Sequence, residues 1–123
     1  MTRKSQSKHS PCVHPRLRVV VGDEIALGPG KVELLALVKE TGSIGKAAKR
    51  MGMSYMRAWS LIQTMNRCFR EPLVTAVHGG KGGGGADLTE AGRRALDLYR
   101  RMERASLQAL APSWKQMRRL LSV

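Results

Sequence analysis

Aromatic residues are scarce: Phe69, Trp59, Trp114, Tyr55 and Tyr99 are all that 123 residues contain. With so few rings, a core must be filled by leucine, alanine and the seven methionines, which favours helices packed on helices. Cysteine is scarcer still. Cys12 and Cys68 are too few for a disulfide framework, and a reducing, cytoplasmic setting is expected. No apolar run approaches the roughly 20 residues a bilayer span needs. The opening MTRKSQSKHSPC leads into no apolar stretch, so no secretory leader is expected either. At this length there is room for one compact domain and a tail, not for a two-domain enzyme.

Acidic residues are the most informative shortage. Nine acids face 22 lysines and arginines, a formal charge of +13. Between Glu40 and Asp87 the only acid is Glu71, while Lys46, Lys49, Arg50, Arg57, Arg67, Arg70 and Lys81 all lie there. A basic face that merely aids solubility does not require acids to be missing from one contiguous third. A polyanion partner does, because each phosphate neutralised releases condensed counterions. Double-stranded DNA is the expected partner.

Residues 1–15 are polar and basic with two prolines and no periodicity, and read as a disordered basic tail. RLRVVV and EIAL, joined by Gly22-Asp23, predict a small hairpin. KVELLALVKETG (31–42) predicts a helix with Val32, Leu34, Leu35 and Val38 inward and Gly42 as its stop. SIGKAAKRMG comes next with Ser43 as N-cap, and Ser54 caps a third helix carrying Ala58, Leu61, Ile62, Met65 and Phe69 on one side. LVTAVH and ADL make short strands around a glycine loop. A long helix, 89–111, is expected to break at Pro112. Ser113 and Gln116 then form a capping box for a short helix within 112–123. The predicted class is mainly α with small β-hairpins: a winged helix-turn-helix over 16–111 with a long C-terminal dimerisation helix. There is no internal repeat.

The stretch HGGKGGGGAD, residues 78–87, holds six of the 13 glycines around Lys81. Gly80, Gly82 and Gly85 satisfy G-x-G-x-x-G, but a dinucleotide fold also needs a second parallel strand and an acid about 20 positions on. Downstream of the loop lies one long helix and no strand. The P-loop pattern fails outright, with Thr75 in its first glycine position and Gly82 where Ser or Thr must hold magnesium. No cofactor is expected. The loop divides between a plain hairpin connection and a wing whose backbone approaches a sugar-phosphate, with Lys81 as its charge. Its place after a helix-turn-helix favours the wing.

In SIGKAAKRMGMSYMRAWSLI, Ala48 is small where the second helix crosses, Gly52 suits a left-handed turn and Leu61 fills the space between helices. An ordinary αα-hairpin asks for the same alanine and glycine; the missing acids decide for DNA. Recognition helices present their N-terminal residues to base edges. Tyr55, Met56, Arg57 and Ser60 are therefore assigned to the major groove, and Thr64 and Arg67 to the backbone. The cap of Ser54 leaves neighbouring amides for a phosphate. Ser43, Lys46 and Lys49 suit flanking phosphates, and Trp59 is read as packing toward the core.

These residues carry a family resemblance. GSIGKAAKRMGMSYMRAW, then Met65-Asn66, then GGKGGGGADLTEAG resemble the N-terminal DNA-binding domain of ModE-type molybdate-responsive regulators, a LysR-like winged helix-turn-helix. The likeness covers about Arg16 to Ala111. It implies a dimer through the long helix, with Ser54, Tyr55 and Arg57 in the recognition helix and Lys81 in the wing. Met56 stands where a polar or basic residue is expected; methionine can touch a thymine methyl but cannot donate a bidentate bond to guanine. Full-length members carry molybdate-binding domains after the long helix. None fits in Pro112 to Val123, so no effector is assigned.

Ala95, Tyr99, Met102, Ser106 and Ala109 recur at steps of four and three along the long helix, a stripe suited to a second copy of the chain in a homodimer. Core packing within one chain needs the same residues. His9, Cys12 and His14 lack a fourth ligand and a scaffold, so no metal is assigned. The nine or so residues around Trp114 are read as docking on the dimer rather than on a membrane. No coupled acid and base pair is present, and an enzyme is not expected. The chain reads as a sequence-specific transcriptional regulator, with a non-specific architectural or protein-interaction module as the alternative.

Overall fold

A computed structural model describes residues 10–77 and 85–122. The order of elements is β1 (Val19–Val21), β2 (Glu24–Leu27), α1 (Pro29–Thr41), α2 (Ile44–Arg50), α3 (Tyr55–Cys68), β3 (Val74–Val77), β4 (Gly85–Leu88) and α4 (Glu90–Arg118). Each strand pair is an antiparallel hairpin of its own. The architecture is the mainly helical one with two small hairpins that the sequence predicts.

Within Arg16–Arg100, a compact unit, α1 is the central helix. Leu34, Leu35 and Val38 are fully buried and Val32 nearly so. It begins two residues earlier than expected, because Pro29 occupies the first turn, where its missing N–H costs nothing and its fixed φ suits the helix. Gly42 ends it at φ 70°, a left-handed conformation that glycine adopts freely. Around α1 gather Ala47 and Ala48 of α2, Ala58, Ile62 and Met65 of α3, and Leu96 and Tyr99 of α4.

Tyr99 corrects an expectation. It is 1% exposed, and its hydroxyl donates to the Leu17 carbonyl at 2.8 Å, tying α4 to the segment before β1. Ala95 packs against the same core. Of the five residues assigned to a dimer stripe, Tyr99 is thus buried within its own chain and Ala95 is partly so. A buried phenol needs a partner for its hydroxyl, and a backbone carbonyl 82 positions away cannot be anticipated from local pattern.

Pro112 corrects another. It lies inside α4 and does not end it, so Ser113 and Gln116 are helical residues and no separate short helix forms. Proline removes the hydrogen bond to the carbonyl four residues back, that of Gln108. Both positions are exposed, so that carbonyl remains open to solvent. The residues from Arg101 on group with the N-terminal segment as a second compact unit. In that segment residues 10–15 form no helix or strand, and Pro11, Val13 and Pro15 are half-buried and alternate with exposed neighbours. On α4 in this unit Met102 and Ala109 are exposed and Ser106 is half-buried, and Leu107, Leu110 and Met117 are exposed too.

Candidate nucleic-acid interface

The turn between α2 and α3 is built from short-range bonds. Met51 and Met53 donate from their amides to Ala48, and Gly52 takes φ 69° between them. Ser54 then turns the chain: its Oγ accepts from the Arg57 amide at 3.1 Å, satisfying a donor that the helix start would otherwise leave open. Ser43 does the same for Lys46 at the start of α2. Ala47, Ala48 and Ala58 are buried at the crossing, so the two helices approach closely.

That approach projects the first turn of α3 outward. Tyr55 is 53% exposed and Met56 69%, and Arg57 and Ser60 are exposed beside them. Thr64 is half-buried and donates to the Ser60 carbonyl, so its hydroxyl is engaged within the helix. Trp59 is not packed into the core as expected. It is 40% exposed, and with Tyr55, Ile62 and Asn66 it lines one side of a groove of about 530 Å³. Ser43, Ile44 and Gly45 close one end, and Val74–Ala76 with Gly85 and Ala86 form the far wall. The i, i+4 spacing of Tyr55 and Trp59 places both rings on this flank.

The second hairpin is fixed to the helices through backbone contacts. The Ala86 amide donates to the Gly42 carbonyl at 3.0 Å, and a Cβ at Gly85 would meet that oxygen at 2.8 Å. Asn66 is the principal clamp. Its Oδ1 accepts from the Leu73 and Val74 amides at 2.8 and 3.2 Å, and its Nδ2 donates to the Val74 carbonyl at 3.1 Å. On sequence Asn66 counted only toward the family resemblance, because its partners lie seven and eight positions on, beyond the end of the helix. Thr89 donates to Pro72 and accepts from Gly92, pinning the other strand's exit. The hairpin's strands are thus held beside α3, where a wing belongs. Lys81 and the rest of 78–84 lie outside the described residues.

Charge sorts the cations into two kinds. Arg50 pairs with Glu40 at 2.5 Å, Arg93 with Asp87 at 3.0 Å, and Arg67 with Glu24 of β2. The hydrogen bond from Arg67 is the main cause holding the Glu24 carboxyl below its usual range, and Glu24 in turn raises Arg67. Arg67, a backbone-contact candidate on sequence, pairs in this structure with Glu24 of β2, and that pair is solvent-exposed. Lys46, Lys49 and Arg57 have no ion-pair partner among the described residues. Glu40 and Glu24, from outside the acid-poor third, thus pair with Arg50 and Arg67 within it and leave Lys46, Lys49 and Arg57 bare.

The family pattern described as bacterial regulatory helix-turn-helix protein, lysR family, matches residues 30–93, from the start of α1 into the first turn of α4. The chain belongs to this family. Within the lysR-family match lie α2, the Gly52 turn, α3 and the second hairpin. The chain is 42% identical over 91 residues to the molybdenum-pterin-binding protein MopB of Rhodobacter capsulatus, covering 74% of this chain and 34% of that protein. It is 46% identical over 78 residues to the molybdenum transport protein ModE of Azotobacter vinelandii, covering 63% and 29%. With the transcriptional regulator ModE of Yersinia pestis it shares 48% over 71 residues, 58% of this chain and 27% of that one. The match thus spans about a third of these relatives' length or less.

Among the described residues, no helix is long and apolar enough to cross a membrane. Cys12 Sγ and His14 Nε2 stand 3.1 Å apart, and no group of three potential metal ligands gathers among the described residues. His9 lies outside them.

Proposed function

We propose that this chain is a sequence-specific transcriptional regulator of double-stranded DNA, working in the cytoplasm as a homodimer. The observation that carries this reading is the first turn of α3. It is exposed, capped by Ser54 and free of carboxylates, while Arg50 and Arg67 on either side are already neutralised. Tyr55, Met56, Arg57 and Ser60 contact base edges in the major groove; Ser43, Lys46 and Lys49 hold flanking phosphates. The loop of the second hairpin, with Lys81, meets the backbone or minor groove. The family, and relatives named as transcriptional regulators, support a binder of DNA over an enzyme.

One recognition helix reads too few bases for high specificity, which favours two copies on two half-sites. With Ala95 and Tyr99 occupied in the core, the partner surface moves along α4 to Met102, Ser106 and Ala109, joined by Leu107, Leu110 and Met117. Molybdenum appears in the names of two relatives, and no effector is assigned to these residues.

The test is fluorescence anisotropy with the protein's own upstream DNA and a scrambled duplex at physiological salt. Arg57→Ala and Ser60→Ala should each cut the ratio of the two affinities by about tenfold, the low to middle range for loss of a base-edge bond. Equal losses on both duplexes would return the chain to a non-specific architectural binder. Light scattering at micromolar concentration should report a dimer; a monomer would sink the two-half-site reading.

A further inference from the structure

The flank of α3 away from the second hairpin holds a second groove, of about 260 Å³, and its rim is cationic. At 100° per residue, Tyr55, Trp59, Ile62 and Asn66 share one flank of α3, while Arg57 and Leu61 lie on the opposite one. Met56 and Ser60 stand between them. The exposed face of the helix is therefore bordered by a groove on each side.

Four cations from three separate stretches rim the second groove: Arg16 and Arg18 before β1, Lys31 in the first turn of α1, and Arg57 in the first turn of α3. No acid lines it. Arg16, Arg18, Lys31 and Arg57 form no ion pair among the described residues, in contrast to Arg50, Arg67 and Arg93. Lys31 donates to the Ile25 carbonyl, which fixes its ammonium at the rim and leaves two donors over. Four like charges gathered on one rim repel one another; Glu24 stands near enough to Lys31 to feel its charge, but its carboxylate is hydrogen-bonded to Arg67 and does not line the groove.

We propose that this groove seats a DNA backbone, with Arg16, Arg18 and Lys31 holding the phosphodiesters that flank the bases met by α3. The inference rests on the DNA-binding reading and extends it to residues outside the helix-turn-helix. A strand leaving the major groove past Arg57 meets three further cations on the same side, while the opposite strand meets the hairpin. These are backbone contacts, so they strengthen binding to every sequence alike.

The experiment is salt-dependent anisotropy on the full chain carrying Arg16→Gln and Arg18→Gln together. Both side chains are exposed and glutamine keeps most of the stem, so circular dichroism and the melting midpoint should match the wild type. The slope of log K against log salt should flatten by about 1.8, roughly 0.9 for each phosphate no longer neutralised, on native and scrambled duplexes equally. Their affinity ratio should not change. An unchanged slope would show these arginines to be merely solvated and overturn the proposal; so would a fall in the ratio, which would make them base readers. Inorganic phosphate that competes beyond chloride at equal ionic strength would point to a small-anion pocket instead and overturn the backbone reading. If the wild type binds neither duplex, the DNA-binding reading itself fails, a result distinct from each of these.

Discussion

The two ends of α3 do opposite things with the same kind of residue. At the N-terminal end, Arg57 points its charge outward, Tyr55 and Met56 are more than half exposed, and no carboxylate intervenes. At the C-terminal end, Arg67 is bound to Glu24, Cys68 turns its thiol toward the same carboxylate, and Asn66 grips three backbone groups of Leu73 and Val74. One end is anchored so that the other can be presented. A rigid helix of 14 residues passes that anchoring along its length, which is how a surface turn gains a fixed position without being buried.

Three substitutions put this contrast at risk. Asn66→Ala should have the largest effect, about 3 kcal/mol in urea unfolding, since it leaves the backbone amides of the buried residues Leu73 and Val74 without their acceptor. A loss below about 1 kcal/mol would mean that the hairpin is held by its apolar residues alone. Glu24→Gln should destabilise far less, because the pair with Arg67 is solvent-exposed. Its sign with pH is fixed. The folded carboxyl titrates below its ordinary value, so the contribution is complete above about pH 4.3 and fades as pH falls through the lower folded pKa. The gap between variant and wild-type melting midpoints should therefore close in acid. Arg57→Ala should move the midpoint least of all, while still costing discrimination between duplexes. A substantial loss of stability there would show that the N-terminal end is also structural.

Much of this was legible because local chemistry sets it. Ser43 and Ser54 cap their helices, Gly42 and Gly52 take positive φ, and the inward faces of α1 and α3 follow their apolar spacing. The acid-poor third was visible by eye, but not its sorting. Which arginines would be neutralised depends on Glu24 and Glu40, brought in from 43 and ten positions away. Trp59 was misplaced because a helical wheel cannot say where the second hairpin will stop covering the helix. Tyr99 looked like interface because its partner, the Leu17 carbonyl, lies at the far end of the unit. Arg16, Arg18 and Lys31 escaped notice for the same reason: nothing in their spacing says that they share a groove with Arg57. The helix through Pro112 shows that proline is a penalty, weighed against the residues on both sides, and not an obligatory stop.

Gly92 has a wider meaning than its size suggests. A Cβ there would sit 2.1 Å from the Leu73 carbonyl oxygen, where backbone meets backbone and neither has slack. No side chain can be accommodated by repacking, only by moving a whole helix. Position 92 is therefore a gauge of descent: any chain that has diverged from this one and lost glycine there must also have changed the distance between hairpin and long helix.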